Sequence, residues 1–220
     1  MEFAKAKKGI KKIYIAQIFA IIASVLSGGA AVFIKFFLNS YTVDDSSAML
    51  VFGFAGFICS FIMILMMIFC IFLGLFGYLQ AAGDEEQFKK AMICTVVSGA
   101  LTIIGAVFKL PNGLISTTLT SAGVIFELFM MVFAVSGLMN IAEKFDRTDI
   151  VESGDRLLKV LTVIYIISAL NTLVIRIFQL SVHSQTAAFI VGAVDMVLSV
   201  LRCVVFMAYL RKISRVLNGE

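Results

Sequence analysis

Six long apolar runs alternate with short polar segments along the chain, at residues 13–37, 48–79, 91–110, 114–141, 157–180 and 187–210. A helix needs roughly 20 apolar residues to cross the hydrocarbon core of a bilayer. Each run is long enough, so the pattern predicts six transmembrane helices. The second run has length to spare for tilt or for extension past the membrane. The sole proline falls in "LPNGL", a tight turn between the third and fourth runs.

The segment before the first run, "KKGIKK", has the charge of a signal-peptide start, and "SGGAA" has the small residues of a cleavage site. The apolar run continues past that point through "VFIKFF". An uncleaved first helix is therefore expected.

The odd runs begin alike, with "KKIYIAQIF", "KKAMICTVV" and "LKVLTVIYI". The even runs end alike, with "YLQAAG", "LMNIAE" and "YLRKIS". The chain therefore reads as one all-α, polytopic transmembrane domain spanning 1–220. It is built of three pseudo-repeated antiparallel hairpins, near 11–82, 89–142 and 157–213.

Composition agrees with this. Hydrophobic residues make up 61% of the chain and charged residues 15%, against about 45–50% and 25% in soluble domains. The net charge of +4 raises nucleic acid as a partner, but its distribution argues otherwise. Most of the basic residues flank the apolar runs: Lys5, Lys7, Lys8, Lys11 and Lys12; Lys89 and Lys90; Lys144, Arg147, Arg156 and Lys159; Arg211, Lys212 and Arg215. The segments "NSYTVDDSS", "PNG" and "SVHSQT" carry none. That asymmetry predicts a multi-pass protein of the cell (inner or plasma) membrane with both termini cytoplasmic, and no nucleic-acid partner.

Cys59, Cys70, Cys94 and Cys203 all lie inside apolar runs and form no CxxC pair. His183 is the only histidine, and no glycine-rich phosphate motif is present. No metal, no cofactor and no catalytic residue is expected. The mixed-charge segment "EKFDRTDIVESGDRLLK" reads as a solvated helical extension.

The polar residues inside the runs are the candidate chemistry. At a rise of roughly 1.5 Å per residue, Ser24, Thr102 and Asn171 lie about 18 Å in from the flanking lysines, and Glu127 about 20 Å in from Asn140. All four fall near the middle third of a bilayer core roughly 30 Å thick. The same ruler matches Arg176 with Asp195 in depth and predicts a salt bridge between them. Arg202, seven residues from Asp195, shares its face, and Arg176 and Arg202 are both within reach of Glu127. A charge in hydrocarbon is costly unless paired or wet. Two readings stay open for Glu127, Asn171, Arg176, Asp195, Arg202, Ser24 and Thr102: a polar pocket or pathway centred on Glu127, or an ion-pair network that fixes how the hairpins pack.

Ala16, Ala20, Ser24 and Gly28 recur at spacing four on the first helix. Such a small-residue stripe permits close approach of another helix. That helix belongs either to this chain or to a partner subunit, including a second copy. A leucine at Ser24 should disrupt that packing, and one at Ala23 should be tolerated better.

The arrangement "AKAKKGIKKIYIAQI", "GYLQAAGDEEQFKKA" and "NIAEKF…GDRLLKVLTVIYIIS" resembles an uncharacterised group of six-span membrane proteins of gut Gram-positive bacteria. The resemblance covers most of the chain and implies six spans, with no activity to carry over. Size, span number and the small-residue first helix are also similar to the substrate-binding subunits of energy-coupling-factor vitamin transporters, although no substrate motif matches and the hairpin repeat is not their signature. The leading expectation is small-solute transport, as a carrier, channel or solute-binding transporter subunit of unknown ligand. The alternative is a non-transporting structural, stress or immunity protein acting through protein–protein contacts. An intramembrane enzyme is third, because a nucleophile–base pair and a metal set are lacking. A water-accessible cavity at Glu127 would favour transport over the structural alternative.

Overall fold

The computed structural model describes residues 3–40, 46–107, 114–181 and 185–218. Within them the chain is all helix: α1 (Ala4–Ser40), α2 (Ser46–Ala81), α3 (Gln87–Val107), α4 (Leu114–Glu143), α5 (Thr148–Ser181) and α6 (Gln185–Asn218). Apolar side chains in hydrocarbon leave the backbone no solvent partner, so its polar groups must pair within each helix. Five helices contain described stretches long and apolar enough to cross a membrane, and the chain is accordingly a helical membrane protein. The exception is α5. Its first twelve residues carry Asp149, Glu152, Asp155, Arg156 and Lys159, and the side chains of 172–181 lie outside the described set.

The helices outrun their apolar segments. α5 begins at Thr148 rather than at residue 157, because the mixed-charge segment continues the helix. It carries the ion pairs Glu152–Arg156 at 3.4 Å and Asp155–Lys159 at 2.8 Å, both four residues apart. α4 ends without a glycine. Asp146 takes the left-handed conformation (φ 54°), and the Arg147 amide donates back to the Ala142 carbonyl at 3.1 Å.

Each helix packs on its neighbours in chain order, and α1 closes the ring against α6. One hydrophobic cluster fills the end of the ring where Ala4, Ala81, Gln87, Glu143, Thr148 and Asn218 lie. Its largest members include Tyr78, Phe88, Leu138, Tyr165, Phe206 and Tyr209. Phe54, Phe57, Phe61, Phe69, Phe72 and Phe76 of α2 are instead exposed, as lipid-facing residues should be.

Polar contacts tie this end together. The Asp84 carboxylate accepts the Ala6 amide at 2.7 Å, satisfying one of the open donors of α1. Glu85 accepts from Asn140 at 2.9 Å and from Lys144 at 3.0 Å. The Lys144 ammonium also lies 5.3 Å from the centre of the Phe3 ring.

Three of the four small residues of the α1 stripe, Ala16, Ser24 and Gly28, pack within the chain, and Ala20 is half-buried. Ala16 is buried, Ser24 bonds Ser199 of α6 at 3.0 Å between hydroxyl oxygens, and Gly28 lies directly under the Met196 side chain. Ala23 is not a free face: it is 7% exposed, so the tolerance expected there does not follow. A close approach to α2 occurs at Gly9, outside the stripe. A Cβ there would meet the Gly77 carbonyl oxygen at 2.5 Å and the Ala81 nitrogen at 2.7 Å.

Candidate functional site

Directly beyond the hydrophobic cluster lies a cavity of about 220 Å³ between α4, α5 and α6. α4 contributes Val124 and Glu127, one turn apart. α5 contributes Ile164, Tyr165 and Ser168. α6 contributes Asp195, Leu198, Ser199 and Arg202. Spacings of three, four and seven place each set on one helix face.

An ion pair forms the cavity's inner wall. Arg202 Nη1 donates to Glu127 Oε2 at 3.0 Å. Neither group is fully enclosed, with side-chain exposures of 22% for Arg202 and 37% for Glu127. The guanidinium lies over the Tyr165 ring, its Cζ 4.7 Å from the centroid. This stack orients the arginine and covers one of its faces. Tyr165 is 2% exposed, and its hydroxyl has no hydrogen-bond partner among the described residues.

The second carboxylate, Asp195, stands about two turns from Arg202 along α6. Ser168 Oγ donates to Asp195 Oδ1 at 3.0 Å. Ser199, between the two charges, bonds Ser24 of α1. Cys70 of α2 and Cys203 of α6 lie close enough to feel both Glu127 and Arg202. Five helices therefore send polar or polarisable groups to one level of the ring.

Of the residues singled out from sequence, Glu127, Asp195 and Arg202 come together here, with Ser24 reaching the site through Ser199. Thr102 does not join them. Its hydroxyl donates to the Ser98 carbonyl one turn back at 3.0 Å, at the contact of α3 with Gly123 of α4. Asn171 lies one turn beyond Ser168 and does not line the cavity. The α5–α6 register differs from the depth match. Asp195 faces Ser168, and Arg176 follows eight residues later, about 12 Å along the helix. The Arg176 side chain lies outside the described residues.

Sequence reasoning missed Tyr165, Ser168 and Ser199. Ser199 had a signal, standing four residues after Asp195 and three before Arg202. Ser168 and Tyr165 had none, because only the α5–α6 register brings them to that face. No group of three His, Cys, Asp or Glu side chains that could hold a metal occurs among the described residues. The chain matches no known protein family, and no curated protein or solved structure matches it.

Proposed function

We propose that the protein binds a small solute inside the membrane, as a small transporter or a solute-binding transporter subunit. One observation carries the reading: an open volume of about 220 Å³ reaches Glu127 and Arg202 instead of a packed core. A pair that served only to fix packing should be closely packed around, because an open volume beside it forfeits the contacts that would hold the helices together. Here both partners keep part of their surface on the cavity wall. In this reading Glu127, Asp195, Arg202, Ser168 and Ser199 face the solute, and the hydrophobic cluster blocks the path on one side.

The same proposal takes the chain as three successive hairpins in a cell membrane, with both termini and the 82–86 and 144–147 connections cytoplasmic. Support comes from the lysines and arginines that flank those segments. The cavity then faces away from the cytoplasm. Internal similarity of the hairpins suits a carrier whose site lies between repeats near the bilayer midplane.

A second reading has an observation of its own. The ion pair is already made at 3.0 Å and braced by Tyr165, as a network that fixes helix packing would be. In that case the protein is a non-transporting membrane protein that works through contacts.

Water access separates the two readings. In a chain with its native cysteines replaced, Ser199→Cys should react with a small water-soluble methanethiosulfonate reagent, and Leu201→Cys, on the lipid side, should not. An unreactive Ser199→Cys would mean a dry interior and would favour the structural reading.

A further inference from the structure

The charges on the cavity wall do not cancel. Glu127 and Asp195 are both carboxylates, and Arg202 is the one cation lining the space among the described residues. Its guanidinium is committed to Glu127 at 3.0 Å and stacked on Tyr165. Asp195 lies within the field of Arg202, but its direct contact is the Ser168 hydroxyl. No lysine or arginine forms a salt bridge with it among the described residues. The described part of the wall therefore carries a formal charge of −1, on a carboxylate exposed to the cavity. An uncompensated charge at membrane depth is costly, so the site favours an occupant that supplies one positive charge.

Resting on the solute-binding reading, we propose that this cavity takes a small organic monocation, an ammonium group carried on a short apolar chain, with the ammonium against Asp195. Asp195 Oδ2 and the Ser199 oxygen offer acceptors near that point, and a primary ammonium has three donors to place. Val124, Ile164 and Leu198 supply apolar wall for the chain. The volume equals about seven waters at roughly 30 Å³ each, too large for a bare metal ion and suited to a short alkylammonium. A hard cation would also need six or more oxygen ligands, and this wall places far fewer around Asp195. A zwitterion fits less well, because its carboxylate would have to compete with Glu127 for Arg202.

The test is a size-matched charge series on the full chain in phosphatidylcholine nanodiscs, read as ligand-dependent thermal stabilisation. The probes are n-butylammonium, γ-aminobutyrate and butyrate. Butylammonium should stabilise the protein in a saturable way, at least tenfold more tightly than γ-aminobutyrate, and butyrate should have no effect. Asp195→Asn should weaken butylammonium binding at least tenfold without lowering the unliganded Tm by more than a few degrees. Asp195→Glu should retain part of the binding, and Val197→Ala, on the lipid side, should retain all of it. If Asp195→Asn fails to fold, Ser168→Ala carries the test with an expected weakening of severalfold. Tighter binding of the zwitterion or the anion, or full binding by Asp195→Asn, overturns the cation assignment and leaves a solute site standing. Binding of no probe also overturns it. Labelling of Ser199→Cys then decides whether the solute-site reading falls as well.

Discussion

Gly9 of α1 and Gly77 of α2 meet backbone to backbone. A Cβ on Gly9 would lie 2.5 Å from the Gly77 carbonyl oxygen, and a Cβ on Gly77 would lie 2.9 Å from the Gly9 carbonyl oxygen. Neither contact can be relieved by turning a side chain. Gly9→Val or Gly77→Val should therefore force the two helices apart, a loss of about 1–3 kcal/mol as in overpacked cores. At Gly74, one turn before Gly77, an added Cβ would meet nothing within 4 Å. Gly74→Ala should be neutral or stabilising by up to about 1 kcal/mol, since alanine is the better helix former. Thermal unfolding of the three variants in one detergent ranks them, and equal loss at Gly74 and Gly77 would refute the close approach.

Glu127 and Arg202 lend themselves to a double-mutant cycle. Glu127→Gln should destabilise the protein by about 1–3 kcal/mol, because the amide oxygen can still accept but no longer neutralises the guanidinium charge. Adding Arg202→Met should recover much of that loss, because the stranded charge goes with it. Additive losses would mean that the two side chains are not coupled in the membrane.

Asp84 holds the first turn of α1 through the Ala6 amide. Asp84→Ala should cost about 1 kcal/mol, the usual scale for losing such a capping acceptor. Hydrogen exchange should rise at residues 5–8 and stay unchanged in α4. Asp84→Asn should preserve most of the protection, as its side-chain oxygen still accepts.

The meeting of Glu127 with Arg202 was legible in the sequence, and the register of α5 on α6 was not. Counting residues back from Asn140 and Arg211 put Glu127 and Arg202 within arm's reach, and they meet. The same counting matched Asp195 with Arg176, whereas the hairpin sets Asp195 against Ser168. Loop geometry and packing fix how far one helix slides along the next, and neither leaves a mark in hydropathy. Thr102 shows a different limit: a threonine in a helix can satisfy itself on the carbonyl one turn back, so its polarity need not point to a shared site. The α1–α2 approach went unseen because Gly9 sits in the lysine-rich "AKAKKGIKK", where no apolar pattern marks a packing face.

Acid should loosen the start of α5. Arg147 donates to Asp149 at 3.1 and 3.4 Å, and this contact holds the Asp149 carboxyl below its ordinary value of 3.8. A carboxyl depressed on folding adds stability that is fully present above its ordinary pKa and fades as pH falls through the depressed one. Hydrogen exchange at 149–153 should therefore accelerate below about pH 4. Asp149→Asn should flatten that dependence and show weaker protection already at neutral pH.

The hydrophobic cluster has a further consequence. Ile10 lies among Lys7, Lys8 and Lys11, Ile150 beside Arg147 and Asp149, and Ile213 between Lys212 and Arg215, yet all three are buried. Their charged neighbours place these levels at or past the membrane surface. Inside lipid, apolar side chains gain little by leaving one hydrocarbon for another. At this collar they leave water, where burial is worth roughly 25 cal/mol per Å². The molecule is thus laced at its rim as well as within the lipid-clad segments. Urea in the surrounding buffer should undo the rim while the lipid-clad segments keep their helices.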